Sequence, residues 1–557
     1  ALTLLVFAGH PESLFHVVMF GCAYGVFLLA TLRRNTVRAL LVATSAGVVT
    51  LLLTAITLLP FLAAAPQSSE YVMRHGYYRL MPLQSDAKLV ARRAGTAFLP
   101  FYGGSAWRGH ATNIWDTGAG RVGSIIFALA AAGIIIAPRR RESWFFFIAG
   151  LICLAAHFEA PPVAQILHKL PLFDIALNDR LSFAAAFAFS LLSAFAADAW
   201  QRRSAIAIAI VATALAIATA LVWKSQLAAG VEASLIASTA IVELLPLVII
   251  AILVLRVPRS VALPIVLALL CAQRVFEDGG NYPALPRSTF FPRTASIDAM
   301  KAREPFRIVG VGATLIPNTS AMYGLEDARG YEAMTFSRLD RTYDLWCVRQ
   351  AVFFNRVDDL SRPFLSAMNV RFALAPRSLA PPDGWRVVVD DRNSRVLENM
   401  RVLPRVFVPR VVHVRNNDEA VLAEMSVAKD FANDGWLMTP LLPPHDQPSP
   451  RATIVTKRRG SRYEIHTSYD ADGWLFITES NWKGWRVTVD GQRVGTAYAN
   501  QAFIGVAVAK GEHVVRAEYM PRELVTGRWI SGVTLLALVL TLIGMNLRFS
   551  GPKFFAR

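Results

Sequence analysis

Residues 204–223 read SAIAIAIVATALAIATALVW, and the run 233–255 that follows carries Glu243 as its one ionisable residue. A helix crossing a bilayer needs roughly 20 predominantly apolar residues, and both runs meet that length. Working outward, comparable runs stand near 13–32, 39–59, 122–137, 144–158, 181–200, 260–275 and 529–547. The shorter ones need flanking residues or a thin local bilayer to span. The pattern predicts a polytopic α-helical membrane protein with about nine transmembrane helices.

Of the 557 residues, 54% are hydrophobic and 17% charged. Soluble domains lie nearer 45–50% apolar and about 25% charged. The excess is confined to the runs, while residues 276–527 have the texture of a soluble domain. The net charge is +17, with no basic–aromatic module of the kind that binds nucleic acid. The positives gather in short loops: Arg33, Arg34 and Arg38; Arg139, Arg140 and Arg141; Arg202 and Arg203; Arg256 and Arg259; then Arg548, Lys553 and Arg557. All these clusters share one side if all nine runs span, and that side is expected to be cytoplasmic. The opposite side then receives His10-Pro11-Glu12, the loop 66–121, the segment 159–180, the turn near Lys224 and the domain 276–527. The four cysteines make no metal or disulfide spacing.

The expected division is a helical membrane domain over 1–275 with its outer loop 66–121, a mixed α/β region over 276–450, a β-sandwich-like domain over 451–527, and a final span with a cytoplasmic tail over 528–557. Short β-like runs occur between 290 and 415, 418–432 reads as helix, and 451–521 alternates as strands. Asp490-Gly491 and Lys510-Gly511 supply tight turns. Residues 1–9 are apolar but too short to span, and are read as the outer end of a helix that begins before Ala1.

Several segments in order resemble the bacterial YfhO-like membrane protein family. They are Gly9-His-Pro-Glu-Ser; Leu170-Pro-Leu-Phe-Asp with Asn178-Asp-Arg-Leu-Ser-Phe; Pro305-Phe-Arg-Ile-Val-Gly with Arg329-Gly-Tyr-Glu; Met368-Asn-Val-Arg-Phe with Leu403-Pro-Arg-Val-Phe; and Asn481-Trp-Lys-Gly-Trp-Arg-Val-Thr-Val-Asp-Gly. The resemblance implies a GT-C-type glycosyltransferase-like protein of the bacterial inner membrane. Such a protein transfers a sugar from a polyprenyl-phosphate donor to an extracytoplasmic envelope glycan or polymer. In such folds the acidic catalytic residue usually lies in the first outer loop, here expected upstream of Ala1. No cofactor is evident from the residues, and a divalent cation is left open. The alternative is a non-enzymatic protein for envelope-glycan transport or assembly.

Transfer from a lipid phosphate needs a carboxylate to take the acceptor proton and cations to hold the phosphate, both at the outer membrane surface. Within the chain the catalytic candidates are Glu12, His10 and Asp179, and the substrate-binding candidates are Arg180, Arg74, Arg79, Asp116 and Arg121. Glu12 also suits the start of a helix, and Asn178 or Asp179 suits an N-cap. Arg180 is a cation at the positive end of a helix, a conflict that a bound anion would resolve. His157 and Glu159 read as interfacial anchors, Asp198 and Arg202 as a plain i,i+4 pair, and Glu243, inside the run 233–255, as a candidate for a functional role or for a group protonated or paired within the bundle. Trp474, Trp482 and Trp485 suit sugar stacking or a core.

Overall fold

Apolar runs become helices because a segment in lipid must satisfy its own backbone N–H and C=O groups. In the computed structural model, seven helices among the described residues are long and apolar enough to cross a membrane. They are Pro11–Thr31, Thr36–Leu53, Asn178–Ala199, Arg203–Ala228, Ala233–Arg256, Arg259–Glu277 and Arg522–Met545. The runs near 122–137 and 144–158 form shorter helices, Ser124–Ile136 of 13 residues and Arg141–His157 of 17. The structure describes residues 1–32, 36–75, 90, 94–95, 99, 122–136, 138–278, 284–301, 306–330, 334–349 and 355–549. Two compact units result: residues 1–47 with 74–285, and residues 48–73 with 286–557.

In the first unit, Ser124–Ile136 packs on Ser182–Ala199 and Arg203–Ala228, and the latter packs on Ala233–Arg256. Small residues allow this. Ala128, Ala132, Ala185 and Ala188 are fully buried, and a Cβ on Gly133 would lie 2.4 Å from the Leu192 carbonyl oxygen. Lipid offers no hydrophobic drive between helices, so close backbone approach supplies the attraction. Ile206, Ile210 and Leu221 remain exposed on the outer side of their helix. Asp198 pairs with Arg259 at 3.0 Å rather than with Arg202. The helix ends at Ala199 and Trp200 turns to φ 22°, so helical spacing does not reach Arg202.

In the second unit, the run read as 39–59 breaks at Thr54, giving the helices Thr36–Leu53 and Ala55–Ala64. The break has a visible cause. The Ser531 hydroxyl donates to the Leu52 carbonyl (3.2 Å) and accepts from the Ile56 N–H (3.0 Å). It thereby replaces one rung of the helical ladder, a recognised origin of kinks.

The rest of this unit is built on three sheets. The first orders β2-β1-β3-β5-β4, from β1 (Arg307–Gly310), β2 (Glu326–Asp327), β3 (Val370–Pro376), β4 (Trp385–Asp390) and β5 (Ser394–Asn399). The second has seven strands. They are β6 (Val406–Phe407), β7 (Val411–Arg415), β8 (Asp434–Met438), β9 (His445–Pro448), β12 (Gly473–Ser480), β15 (Ala497–Ala499) and β16 (Phe503–Val508), in the order β6-β12-β16-β15-β8-β7-β9. The helix Asp418–Ser426, capped by the Asn417 side chain, is the crossover between parallel β7 and β8. The third sheet is antiparallel, β10-β11-β17-β13-β14, from β10 (Ala452–Arg459), β11 (Arg462–Tyr469), β13 (Trp485–Val489), β14 (Gln492–Val494) and β17 (Gly511–Tyr519). At the β13–β14 hairpin, Asp490 and Gly491 adopt φ 50° and 84°, as a primed turn requires.

The seven-stranded sheet is the middle layer because its strands are apolar on both faces. Leu475, Ile477, Ile504 and Val506 pack with Ile465, Val487 and Val515 of the third sheet. Phe476 and Phe503 face the other way, into a core with Trp346, Phe364 and Val370. One polar group is built across its strands. His413 Nε2 lies 3.0 Å from Asp434, its Nδ1 lies 2.9 Å from Asp446, and its ring stacks on Trp436. Burial opposes the imidazolium, but the two carboxylates prevail and raise its pKa above the usual histidine value. The resulting stability is fully present below about pH 6.5 and is lost as pH rises through the raised folded value. Because both carboxylates are well exposed, the loss is under about 1 kcal/mol. Thermal midpoints should therefore fall more between pH 6 and 8 for the native chain than for His413→Ala. A parallel fall in both would sink this assignment.

Candidate functional site

Two helix starts in the first unit bring the candidate residues together. Pro11 opens the helix Pro11–Leu32 and places Glu12 in its first turn, where the helix dipole favours a carboxylate. The Ser13 N–H donates to His10 Nδ1 at 3.2 Å, so His10 caps this start. The other contributor is the 3-10 turn Asn178–Leu181, which runs directly into the helix Ser182–Ala199.

Glu12 is the hub. Its Oε1 lies 2.9 Å from Arg74 Nη1 and its Oε2 lies 3.2 Å from Arg180 Nε. Oε1 also accepts the Leu177 N–H at 3.2 Å, tying the helix start to the 3-10 turn. The His10 ring lies against Arg180 Nη1. The Glu12 and Arg74 side chains are only 19% and 13% exposed, against 35% for Arg180. These ion pairs are therefore less screened than surface ones. The anion that Arg180 needs at a helix N-terminus is thus the carboxylate of Glu12.

Beneath this surface, His16 and Asn178 are buried and joined, Nε2 to Oδ1, at 3.3 Å. Asn178 Nδ2 donates to the Phe173 carbonyl at 2.9 Å. Neither Asn178 nor Asp179 caps the helix with its side chain. Asn178 is turned inward, and the Asp179 backbone carbonyl accepts from His157 Nδ1. The Asp179 carboxylate is exposed and, among the described residues, makes no hydrogen bond or ion pair. The site therefore presents two guanidiniums held by one carboxylate, an imidazole, and a second carboxylate left open. Such a set can grip a phosphate and accept a proton beside it.

His10, Glu12, Arg74, Asp179 and Arg180 are all placed in this cluster, whereas Arg79, Asp116 and Arg121 lie outside the described residues. His16 escaped the sequence reading, although it stands four residues after Glu12 and so on the same helix face. The Leu177 N–H carried no signal at all, since any residue has one.

Glu243 belongs to a different setting. It is buried, and its Oε2 accepts from the Ser124 N–H and from Gln273 Nε2, both at 3.0 Å. These partners tie three helices together, which is a structural task. Trp474 packs against the central core of the second unit. Trp482 and Trp485 border a recess together with Tyr519.

Helices of this length and a β-rich C-terminal region define a multi-pass membrane protein. Residues 446–531, which hold β10 to β17 and the start of the last helix, match the family described as bacterial membrane protein YfhO. The match supports the resemblance carried by the motifs. No curated protein and no solved structure matches the chain.

Proposed function

We propose that this protein is a membrane glycosyltransferase of GT-C type that uses a polyprenyl-phosphate sugar and an extracytoplasmic envelope glycan as acceptor. The observation that carries the reading is Glu12 held between Arg74 and Arg180 at converging helix starts. The basic clusters in the short loops support it, since positive loops tend to face the cytoplasm and these helix starts lie at the opposite ends of the apolar runs. In the reaction, the bond between the anomeric carbon and the phosphate oxygen breaks while the acceptor oxygen bonds to that carbon. Arg180 and Arg74 hold the departing phosphate, Glu12 positions both guanidiniums, and the exposed Asp179 carboxylate takes the acceptor proton.

Arg180→Ala should lower kcat/KM for a polyprenyl-phosphate sugar by about 100-fold, the usual scale for losing a donor that stabilises developing charge. Membrane insertion should be unchanged, because Arg74 still pairs with Glu12. The check is sugar transfer in membranes containing the protein, with the variant's abundance measured in parallel. Transfer by Arg180→Ala at the native rate would favour an assembly or transport role in its place.

A further inference from the structure

A cleft of about 740 Å³ in the second unit lies between β6 and β10, each an edge strand of its sheet. That size suits a small-molecule site. Its charged lining residues are Arg405, Arg410, Arg451 and Arg458, with no acidic side chain among them. Arg405 and Arg458 are largely buried and paired with Glu326. Arg410 and Arg451 are exposed and, among the described residues, their side chains make no hydrogen bond or ion pair.

Strand register brings these two arginines to one end of the cleft. Val411 of β7 faces Pro448 of β9, so Arg410 lies beside Ser449, and the Ser449 N–H donates to the Arg410 carbonyl at 2.8 Å. Arg451 follows Ser449 by two positions, on the same side of an extended chain. Prolines stiffen this end: Pro409 precedes Arg410, and Pro448 and Pro450 flank Ser449, which confines the residue before each proline to extended backbone. The Arg451 N–H donates to Asp470 Oδ1 at 2.9 Å, and its carbonyl accepts the Asp470 N–H at 3.2 Å. A backbone fixed in this way leaves less to order on binding. Ser449 Oγ also belongs to the cleft wall, where it is buried and has no hydrogen-bond partner among the described residues. A buried hydroxyl left unpaired is costly, and an acceptor entering the cleft would satisfy it. Beside this group Val408, Ala452 and Ile454 make a half-buried apolar wall.

We propose that Arg410, Ser449 and Arg451 form a binding site for an organic phosphate monoester, with its organic part resting on Val408, Ala452 and Ile454. A pair of unpartnered guanidiniums and a free hydroxyl match the double charge and the terminal oxygens of such a group. A carboxylate offers half the charge and one oxygen fewer. The site lies wholly within the second unit and goes beyond the transferase reading, on which it does not depend.

The experiment is a calorimetric titration of the full chain in neutral detergent with phenyl phosphate, benzoate and inorganic phosphate. Phenyl phosphate should bind about tenfold more tightly than benzoate, which carries less charge, and than inorganic phosphate, which has no ring for the apolar wall. Its affinity should weaken as salt is raised. The double variant Arg410→Ala/Arg451→Ala should lose about tenfold in affinity, the scale of two exposed ion pairs. Ser449→Ala should lose about fivefold with an unchanged thermal midpoint, because Oγ has no partner in the fold to lose. The control Lys457→Ala/Arg459→Ala removes equal charge from the other face of β10 and should change binding little. Native affinity in the double variant, or an equal loss in the control, overturns the proposal. Equal binding of benzoate would make the cleft a carboxylate site, and equal binding of inorganic phosphate a site for a bare anion; either result also overturns it.

Discussion

Replacing Glu479 by alanine is expected to destabilise the β-rich unit by about 3–5 kcal/mol, the scale for removing one partner of a buried ion pair. Its carboxylate is 19% exposed and faces three guanidiniums: Arg405 at 3.0 Å, Arg307 at 3.3 Å and Arg458 at 3.9 Å. The Tyr463 hydroxyl donates to it at 2.5 Å. Burial works against the charge, yet Arg307 and Arg405 outweigh it and hold the carboxyl below the usual glutamate range. Among the described residues, Glu326 alone then remains to balance these cations, and its ion pairs are with Arg405 and Arg458. Arg307 is then left largely buried without its ion-pair partner, with Glu326 acting on it only from a distance, which is where the cost arises. The depressed pKa also sets a sign. The stabilisation is present above about pH 4.3 and is lost as pH falls through the lowered folded value. Urea unfolding followed by tryptophan fluorescence reads both effects. A loss under about 1 kcal/mol would mean that the cluster behaves like an exposed one.

Gly527→Val should be almost as damaging, by a route that involves no charge. A Cβ at Gly527 would lie 2.4 Å from the Ala55 carbonyl oxygen and 2.8 Å from the Ile56 Cα. Those are backbone atoms and cannot swing aside. The helices Ala55–Ala64 and Arg522–Phe549 must separate, which carries Ser531 away from Leu52 and Ile56. Overpacking of this kind costs about 1–3 kcal/mol, and the unsatisfied Ile56 N–H adds about 1–3 kcal/mol. The matched control is Gly532→Val, five residues along the same helix, where a Cβ meets nothing within 4 Å. Thermal midpoints in detergent should drop sharply for the first variant and stay put for the second. Equal behaviour would remove the close approach as an element of stability.

Much of the architecture was legible because it rests on local chemistry. Every apolar run read as a span is helical, since an apolar segment has few other ways to satisfy its backbone. Strand alternation located β13, β16 and β17, and Asp490-Gly491 marked its turn by the positive φ that this pair tolerates. What escaped was set by distant partners. The break at Thr54 depends on the Ser531 hydroxyl, 475 positions beyond the Ile56 N–H it accepts from. Asp198 found Arg259 because its helix stops before Arg202.

The candidate site divides in the same way. Sequence alone placed His10, Glu12, Asp179 and Arg180 at helix starts, because capping residues, prolines and the ends of apolar runs are local signals. It also showed that Arg180 sits where a helix dipole opposes it. Only the tertiary structure decided which anion answers that cation. Glu12 and Arg180 are 168 residues apart in the chain and 3.2 Å apart in space. The same holds for the cleft arginines, whose spacing in sequence says nothing of a shared wall. Charge at a helix end is a property of a few neighbouring residues. Charge pairing is a property of whatever the packed helices and sheets bring within a few ångströms, and no local pattern encodes that distance.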